Sequence, residues 1–354
     1  MDTIPKRIEL FFRRKIQKVF LDEKSTIVLQ SPEKSIDTSS PLKVVFLRQD
    51  HLGDVIVSIP LIRELHKHFP LFEYQIILGK SNFSLAPFLR KYTTKEWKYS
   101  KKIIDIIRLV MTLRKERFDV VIDIHDKASL TSTILIWVIR SRYSIGLAKG
   151  SSKVLTHRVE LPEGQIPQVV DLYLLPLLPF GINPTTVDYS LEFPKSEVVT
   201  KNPRRVFINL NGSQRIRYWG TENFILCIQK LQTEFPDFEI VVSCTKDYDE
   251  ELQEILSKTT ANHTGYFSSF FEVTTEIDKS QFVITPDTVV PHICEAWNIP
   301  CVVLYLRYDS YTMWRPKTTQ FRPVISPDEI MTSIAPDDVI DAFKQLYGLV
   351  NQSQ

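Results

Sequence analysis

Glycine is scarce in this chain, ten in 354 residues. No G-x-G-x-x-G run occurs, so the fingerprint of a dinucleotide-binding turn is missing. An NAD-dependent oxidoreductase therefore has no support. Cysteine is sparser still. Cys227, Cys244, Cys294 and Cys301 form no C-x-x-C pair, which fits a reduced, cytosolic chain and argues against a structural zinc. No apolar run reaches the roughly 18 residues of a membrane-spanning helix. Lys6, Arg7, Arg13, Arg14, Lys15 and Lys18 break up any signal-peptide core at the start. Charge of one sign is also lacking: 44 Lys and Arg stand against 42 Asp and Glu, net +2. That balance does not suggest a nucleic-acid partner. Hydrophobic content of 43% and charged content of 24% are those of a globular protein, and the length allows two domains.

What is present is a pattern that occurs twice. An apolar strand runs into a polar turn and then an amphipathic helix over 44–70 (VVFLRQDHLGDVIVSIPLIRELHKHFP) and again over 282–305 (FVITPDTVVPHICEAWNIPCVVLY). In the first half the spacing predicts strands at 43–48, 74–78 and within 118–126, with helices over 54–68, near 101–116, and over 129–141 and 166–179. In the second half it predicts strands within 205–213, 238–244, 282–285 and 301–305. Helices are expected over 222–235, capped by Thr221, and from Pro336 to about Leu346. Strands alternating with helices imply parallel sheets. The expectation is an α/β protein with two Rossmann-like domains facing each other across a cleft. Its divisions are a basic extension and linker over 1–42, a first domain over 43–185, a connection over 186–203, a second domain over 204–330, and a final helix and tail over 331–354; three prolines fall within 181–203. The spacing predicts a basic amphipathic helix over 5–23, with Ile8, Phe11, Phe12, Ile16, Val19 and Phe20 on one stripe. Such a helix either lies on an anionic membrane surface or packs on the protein body.

Open α/β sheets bind ligands at the carboxyl ends of their strands, and polar residues gather there in this chain. In DHLGDVI, Gly53 permits a tight turn and Asp54 falls in the first helical turn, with Asp50 and His51 beside it. Asp54 is a candidate general base, although Asp is also a common helix cap. Asp123, His125 and Lys127 follow the third strand. In TPDTVVPHICEA, Asp287 or Thr288 can cap a helix with Pro291 in its first turn. The amides of Thr288, Val289 and Val290 then make an anion site, with His292 on the same turn as either a structural or a functional group. Arg215 and Arg217 follow another strand end and suit a diphosphate. The acidic run at 247–251 could hold ribose hydroxyls or simply open a helix.

These residues resemble glycosyltransferase family 9, the ADP-heptose:lipopolysaccharide heptosyltransferases, over about residues 43–348. The family's Ser/His-x-Gly-Asp turn corresponds to His51-Leu52-Gly53-Asp54, and the resemblance implies that Asp54 is the catalytic base. Its Lys-x-Trp corresponds to Arg217-Tyr218-Trp219. Its Asp-Thr-Gly-x-x-His corresponds to 287–292, with Val289 in the place of glycine. The resemblance further places donor contacts at Gly212, Ser213, Arg215, Asp249, Asp287, Thr288, Val289 and His292. Arg217 would act in catalysis, and acceptor contacts would fall at Asp50, His51, Asp123, His125 and Lys127. It implies a GT-B architecture and an inverting transfer that needs neither metal nor cofactor, from a nucleotide sugar such as ADP-heptose to a lipid-linked inner-core glycan. The expected location is the cytoplasm, at the inner face of the cytoplasmic membrane. The alternatives are a transferase for another nucleotide sugar and a catalytically silent glycan-binding relative.

Overall fold

The computed structural model describes residues 27–100, 102–127, 129–148, 154–161, 167–195, 199–212, 214–263, 265–266 and 270–352. The amphipathic segment at 5–23 and Ser213 lie outside the described residues. The chain divides between Tyr189 and Ser190 into two units.

Among the described residues, the first unit carries a seven-stranded sheet. Its strands are β1 (Ile27–Leu29), β2 (Lys43–Arg48), β3 (Glu73–Leu78), β4 (Lys95–Lys98), β5 (Val120–Asp123), β6 (Tyr143–Leu147) and β7 (His157–Val159), in the order β1-β7-β6-β5-β2-β3-β4. Every pairing is parallel. Strands β2 and β5 are continuous apolar runs because both faces of the sheet are covered. Helices α1 (Leu52–His68), α2 (Ala86–Leu89), α3 (Ile103–Glu116), α4 (Leu130–Ile139) and α5 (Val169–Leu174) connect them. Leu109 and Leu113 of α3 and Leu135, Ile136 and Ile139 of α4 share one core with Val45, Leu47 and Val121 of the sheet.

The second unit carries a six-stranded parallel sheet among the described residues. Its strands are β8 (Arg205–Asn209), β9 (Glu239–Ser243), β10 (Asn262–His263), β11 (Phe282–Pro286), β12 (Cys301–Tyr305) and β13 (Phe321–Ile325), in the order β10-β9-β8-β11-β12-β13. Its helices are α6 (Thr221–Glu234), α7 (Asp249–Lys258), α8 (Phe270–Asp278), α9 (Val290–Trp297), α10 (Tyr308–Trp314) and α11 (Pro336–Gln352).

Several boundaries differ from the sequence expectation. Residues 27–42 are not linker. Strand β1 pairs with β7, Lys34 bridges to Phe180, and Leu29, Ile36 and Leu42 are buried. The polar composition of that stretch hides three apolar anchors. The last helix does not belong to a tail: Val339, Ile340, Phe343, Leu346 and Val350 are part of the second unit's core. The expected helix over 166–179 shortens to Val169–Leu174 plus a 3₁₀ turn at Leu175–Leu177, because Pro176 offers no N–H to continue the ladder. Thr221 is the first helical residue and not the cap. Its hydroxyl bonds instead with that of Tyr218 at 3.0 Å.

The strand orders decide where a site can form. In the first unit the chain leaves β2 towards β3 and β4, then returns to β5 on the other side of β2. In the second it leaves β8 towards β9 and β10, then returns to β11 on the other side of β8. Connections therefore diverge between β2 and β5 and between β8 and β11. A crevice opens at such a switch point, at the carboxyl ends of the strands.

Candidate active site

At the first switch point a guanidinium collects the carboxylates. Arg48, the last residue of β2, is fully buried. Its Nη1 donates to Asp50 Oδ2 at 3.0 Å, and its Nη2 lies 3.1 Å from Asp54 Oδ1. Its Nε donates to the Asp54 carbonyl at 3.1 Å and its Nη1 also reaches the Ile124 carbonyl at 3.4 Å. The Tyr173 ring lies 4.2 Å from the guanidinium carbon, and the Tyr173 hydroxyl donates to Asp54 Oδ1 at 3.0 Å. Burial works against the Arg48 charge, but Tyr173, Asp50 and Asp54 around it outweigh that and raise its pKa. A buried cation of this kind persists only with such partners.

Asp54 serves the helix as well as the site. Its Oδ2 accepts the His51 backbone N–H at 3.3 Å, closing the first turn of α1. Gly53 is not a left-handed turn residue. It is buried as the second residue of α1 and takes no positive φ. Asp50 is pushed upward in pKa by burial, with Arg48 opposing and Asp54 adding to the rise. On β5 and its following loop, Asp123 Oδ1 and His125 Nδ1 are 2.6 Å apart, Ser132 Oγ is 3.1 Å from the same nitrogen, and His125 Nε2 lies 3.7 Å from Asp50 Oδ2. Asp50, Asp54, Asp123 and His125 are thus gathered together, while His51 and Lys127 stand exposed at the rim.

The second switch point joins β8 to β11. Arg217 Nη1 donates to both the carbonyl and Oδ2 of Asp287, each at 2.9 Å. Burial pushes the Asp287 carboxyl up to about 6, with Arg217 opposing. Asn209 Nδ2 donates to Thr285 Oγ1 at 3.0 Å and reaches Thr288 Oγ1 at 3.4 Å. Thr288 Oγ1 accepts the Val290 N–H at 3.2 Å, so the Val290 amide is not free for an anion as expected, and the cap position of α9 is taken by Val289 instead of Asp287 or Thr288. The amides of Thr288 and Val289 take no backbone acceptor among the described residues. His292 is buried in the first turn with its ring 5.8 Å from Trp314. Val289 is half-buried.

Gly212 is required by crowding. A Cβ there would sit 2.7 Å from the carbonyl carbon and Cβ of Arg217 and from the Gln214 carbonyl oxygen. Arg215 and Arg217 do not act together. They occupy one 3₁₀ turn, where residues two apart diverge. Arg215 pairs with Glu251 and covers the rings of Tyr248 and Tyr218, so its side chain goes to a different partner from that of Arg217. Asp249 opens α7, accepting from the Tyr266 hydroxyl and from Gln253 Nε2 at 3.2 Å. Those bonds lower its pKa, Tyr266 first. Trp219 is a core residue: fully buried, its indole N–H donates to the Ile334 carbonyl at 2.9 Å.

Sequence reasoning missed Arg48, Tyr173, Ser132 and Asn209. Arg48 ends an otherwise apolar buried strand, which is a readable signal because a cation there must find carboxylates. Tyr173 gives no such signal, since a Tyr in an apolar helix is ordinarily core.

Two parallel α/β sheets, each with polar and charged groups at its switch point, give the chain a two-domain α/β fold of the GT-B class. The family model for glycosyltransferase family 9 (heptosyltransferase) matches residues 106–333, and the chain belongs to that family. Lipopolysaccharide heptosyltransferase 3 of Escherichia coli is 23% identical over 290 residues, covering 75% of this chain and 83% of that protein. A glycosyl transferase family 9 structure from Veillonella parvula superimposes with a TM-score of 0.71 at 14% identity, covering 89% of this chain and 99% of that one. The E. coli heptosyltransferase WaaC with ADP-2-deoxy-2-fluoro heptose gives 0.69 at 13% identity, covering 86% and 99%. Among the described residues no helix is long and apolar enough to cross a membrane.

Proposed function

We propose that this glycosyltransferase moves heptose from ADP-heptose to an inner-core lipopolysaccharide acceptor, with inversion and without a metal or cofactor. The observation that carries the reading is the pair of carboxylates, Asp50 and Asp54, held on buried Arg48 at the end of β2. In this reading Asp54 takes the proton of the acceptor hydroxyl as its oxygen bonds to the anomeric carbon and the bond to the diphosphate breaks. Asp50, His51, Asp123, His125 and Lys127 hold the acceptor. Arg217, Ser213, Thr288 and the amides at the start of α9 take up the charge on the departing diphosphate. The Thr288 hydroxyl already accepts from Asn209 and Val290, which favours its O–H as a donor to phosphate. Both Arg217 bonds to Asp287 use Nη1, leaving Nε and Nη2 for the diphosphate. Asp287 and His292 position the sugar and phosphates, and Asp249 the nucleoside. The basic segment at 5–23 would add peripheral contact with an anionic membrane surface at the cytoplasmic face.

A specific observation favours a second reading of the base. Both Asp54 oxygens already accept hydrogen bonds, whereas the Asp50 side chain is more open, at 23% exposure against 10%. Transfer from ADP-heptose by Asp54→Ala and Asp50→Ala decides between them. Loss of transfer with ADP affinity kept is expected for Asp54→Ala. Wild-type turnover in that variant would refute the assignment to Asp54. A chelator in the same assay should leave the rate unchanged, and hydrolysis of UDP-, GDP- or CMP-sugars in preference to ADP-heptose would move the donor assignment.

A further inference from the structure

Helix α3 presents an unusual solvent face. Leu109 and Leu113 hold it to the sheet, while Ile104, Ile107 and Met111 on the opposite side are 54%, 49% and 58% exposed. Their i, i+3, i+7 spacing makes one stripe, and the exposed cations Arg108 and Lys115 share that face. The two acids of α3 are engaged elsewhere. Asp105 accepts from Ser100 at 2.8 Å, and Glu116 binds Lys43 at 2.5 Å and Lys95 at 2.8 Å.

The neighbouring helix extends the same surface. Arg114 Nε of α3 donates to the Val138 carbonyl of α4 at 3.4 Å. Trp137 of α4 is 42% exposed, with the Arg140 guanidinium carbon 5.9 Å from its ring centre. Arg114, Arg117 and Arg140 line a hollow of about 430 Å³ together with Val138 and Ile139. The one carboxylate in that hollow, Asp119, accepts the Lys43 N–H at 2.8 Å.

We propose that this face of α3 and α4 docks on an anionic lipid bilayer. Apolar side chains enter the acyl boundary, Trp137 sits at headgroup level, and the cations meet lipid phosphates, with the arginine-lined hollow taking one of them. The charge pattern selects this occupant: an apolar stripe flanked by cations, with Glu116 paired to Lys43 and Lys95 and with Asp105 and Asp119 hydrogen-bonded within the fold, matches a negatively charged surface. Vesicle association is measured without donor or acceptor, so it stands or falls separately from the transfer reading.

The test uses the full chain with Met111→Cys carrying an environment-sensitive NBD label. The native cysteines are all buried, which makes labelling selective. Vesicles of phosphatidylcholine with phosphatidylglycerol should raise and blue-shift the emission, and phosphatidylcholine alone should not. The double variant Arg108→Glu/Lys115→Glu should lower vesicle partitioning by about tenfold or more. Lys201→Glu, at an exposed site of the second unit, should leave partitioning unchanged. The proposal fails if the chain does not sediment with anionic vesicles, if it sediments with no change at the label, or if the double variant and Lys201→Glu weaken binding equally. It fails too if sedimentation without lipid shows a dimer that Ile107→Asp dissociates, since a second copy would then be the occupant.

Discussion

Asp287→Asn should stabilise the ligand-free protein at neutral and alkaline pH while impairing it as an enzyme. Asp287 is 6% exposed, and its carboxyl rises from an ordinary 3.8 to about 6 even with Arg217 bonded to it. At about 1.4 kcal/mol for each pH unit, keeping it ionised in the folded state costs roughly 3 kcal/mol. The sign follows from linkage. A carboxyl whose folded pKa is raised favours folding only as the acid. That contribution is complete below 3.8 and is lost as pH rises through about 6. Asparagine is close to isosteric with the acid and keeps an acceptor for Arg217 Nη1, but it never has to be charged. The variant should therefore exceed the wild type by up to about 3 kcal/mol near pH 8, with the gap closing towards about pH 4. Native-state hydrogen exchange at β11 and β12 reads the opening free energy of the second unit without assuming that the whole chain unfolds in one step. ADP affinity should fall in the same variant, by about tenfold, because Arg217 loses the charge that orients it. A variant no more stable than wild type near pH 8, or a gap that does not narrow on acidification, would show that Asp287 is not a strained buried carboxylate.

Two further substitutions probe one switch point each. Tyr173→Phe keeps the ring beside Arg48 but removes the donor to Asp54 Oδ1, so urea unfolding should show a loss of about 1.5–3 kcal/mol. No change would mean that the hydroxyl is not bonded in solution. Gly212→Ala places a Cβ 2.7 Å from backbone atoms of the Gln214–Arg217 turn, which must move and take Arg217 with it. Calorimetry with ADP should show affinity reduced by about tenfold or more, and unchanged binding would detach that turn from the donor.

Much of the architecture was legible because buried parallel strands are continuous apolar runs. Lys43–Arg48 and Cys301–Tyr305 fall where their hydrophobicity puts them. Short edge strands were not legible. Strand β4 reads Lys-Glu-Trp-Lys, and β1 has only Leu29 buried, so neither carries a pattern apart from its neighbour. Of the candidate residues, Asp50, Asp54, Asp123 and His125 were readable as polar residues at apolar strand ends. The divergence of Arg215 from Arg217 was not, because it depends on a 3₁₀ turn that their spacing does not reveal.

The sequence by itself determined the alternation of strand and helix, the two-unit division and the positions of the polar turns, since these are local properties of hydrophobic period and turn chemistry. Tertiary structure alone decided which turns meet. The order β5-β2-β3 brings Asp123 and His125, more than 60 residues later in the chain, beside Asp50 and Asp54. The order β9-β8-β11 brings Arg217 onto Asp287. Strand order is a global choice among packings with similar local patterns. The guanidinium of Arg48, shared between two carboxylates and covered by Tyr173, exists only once that choice has been made.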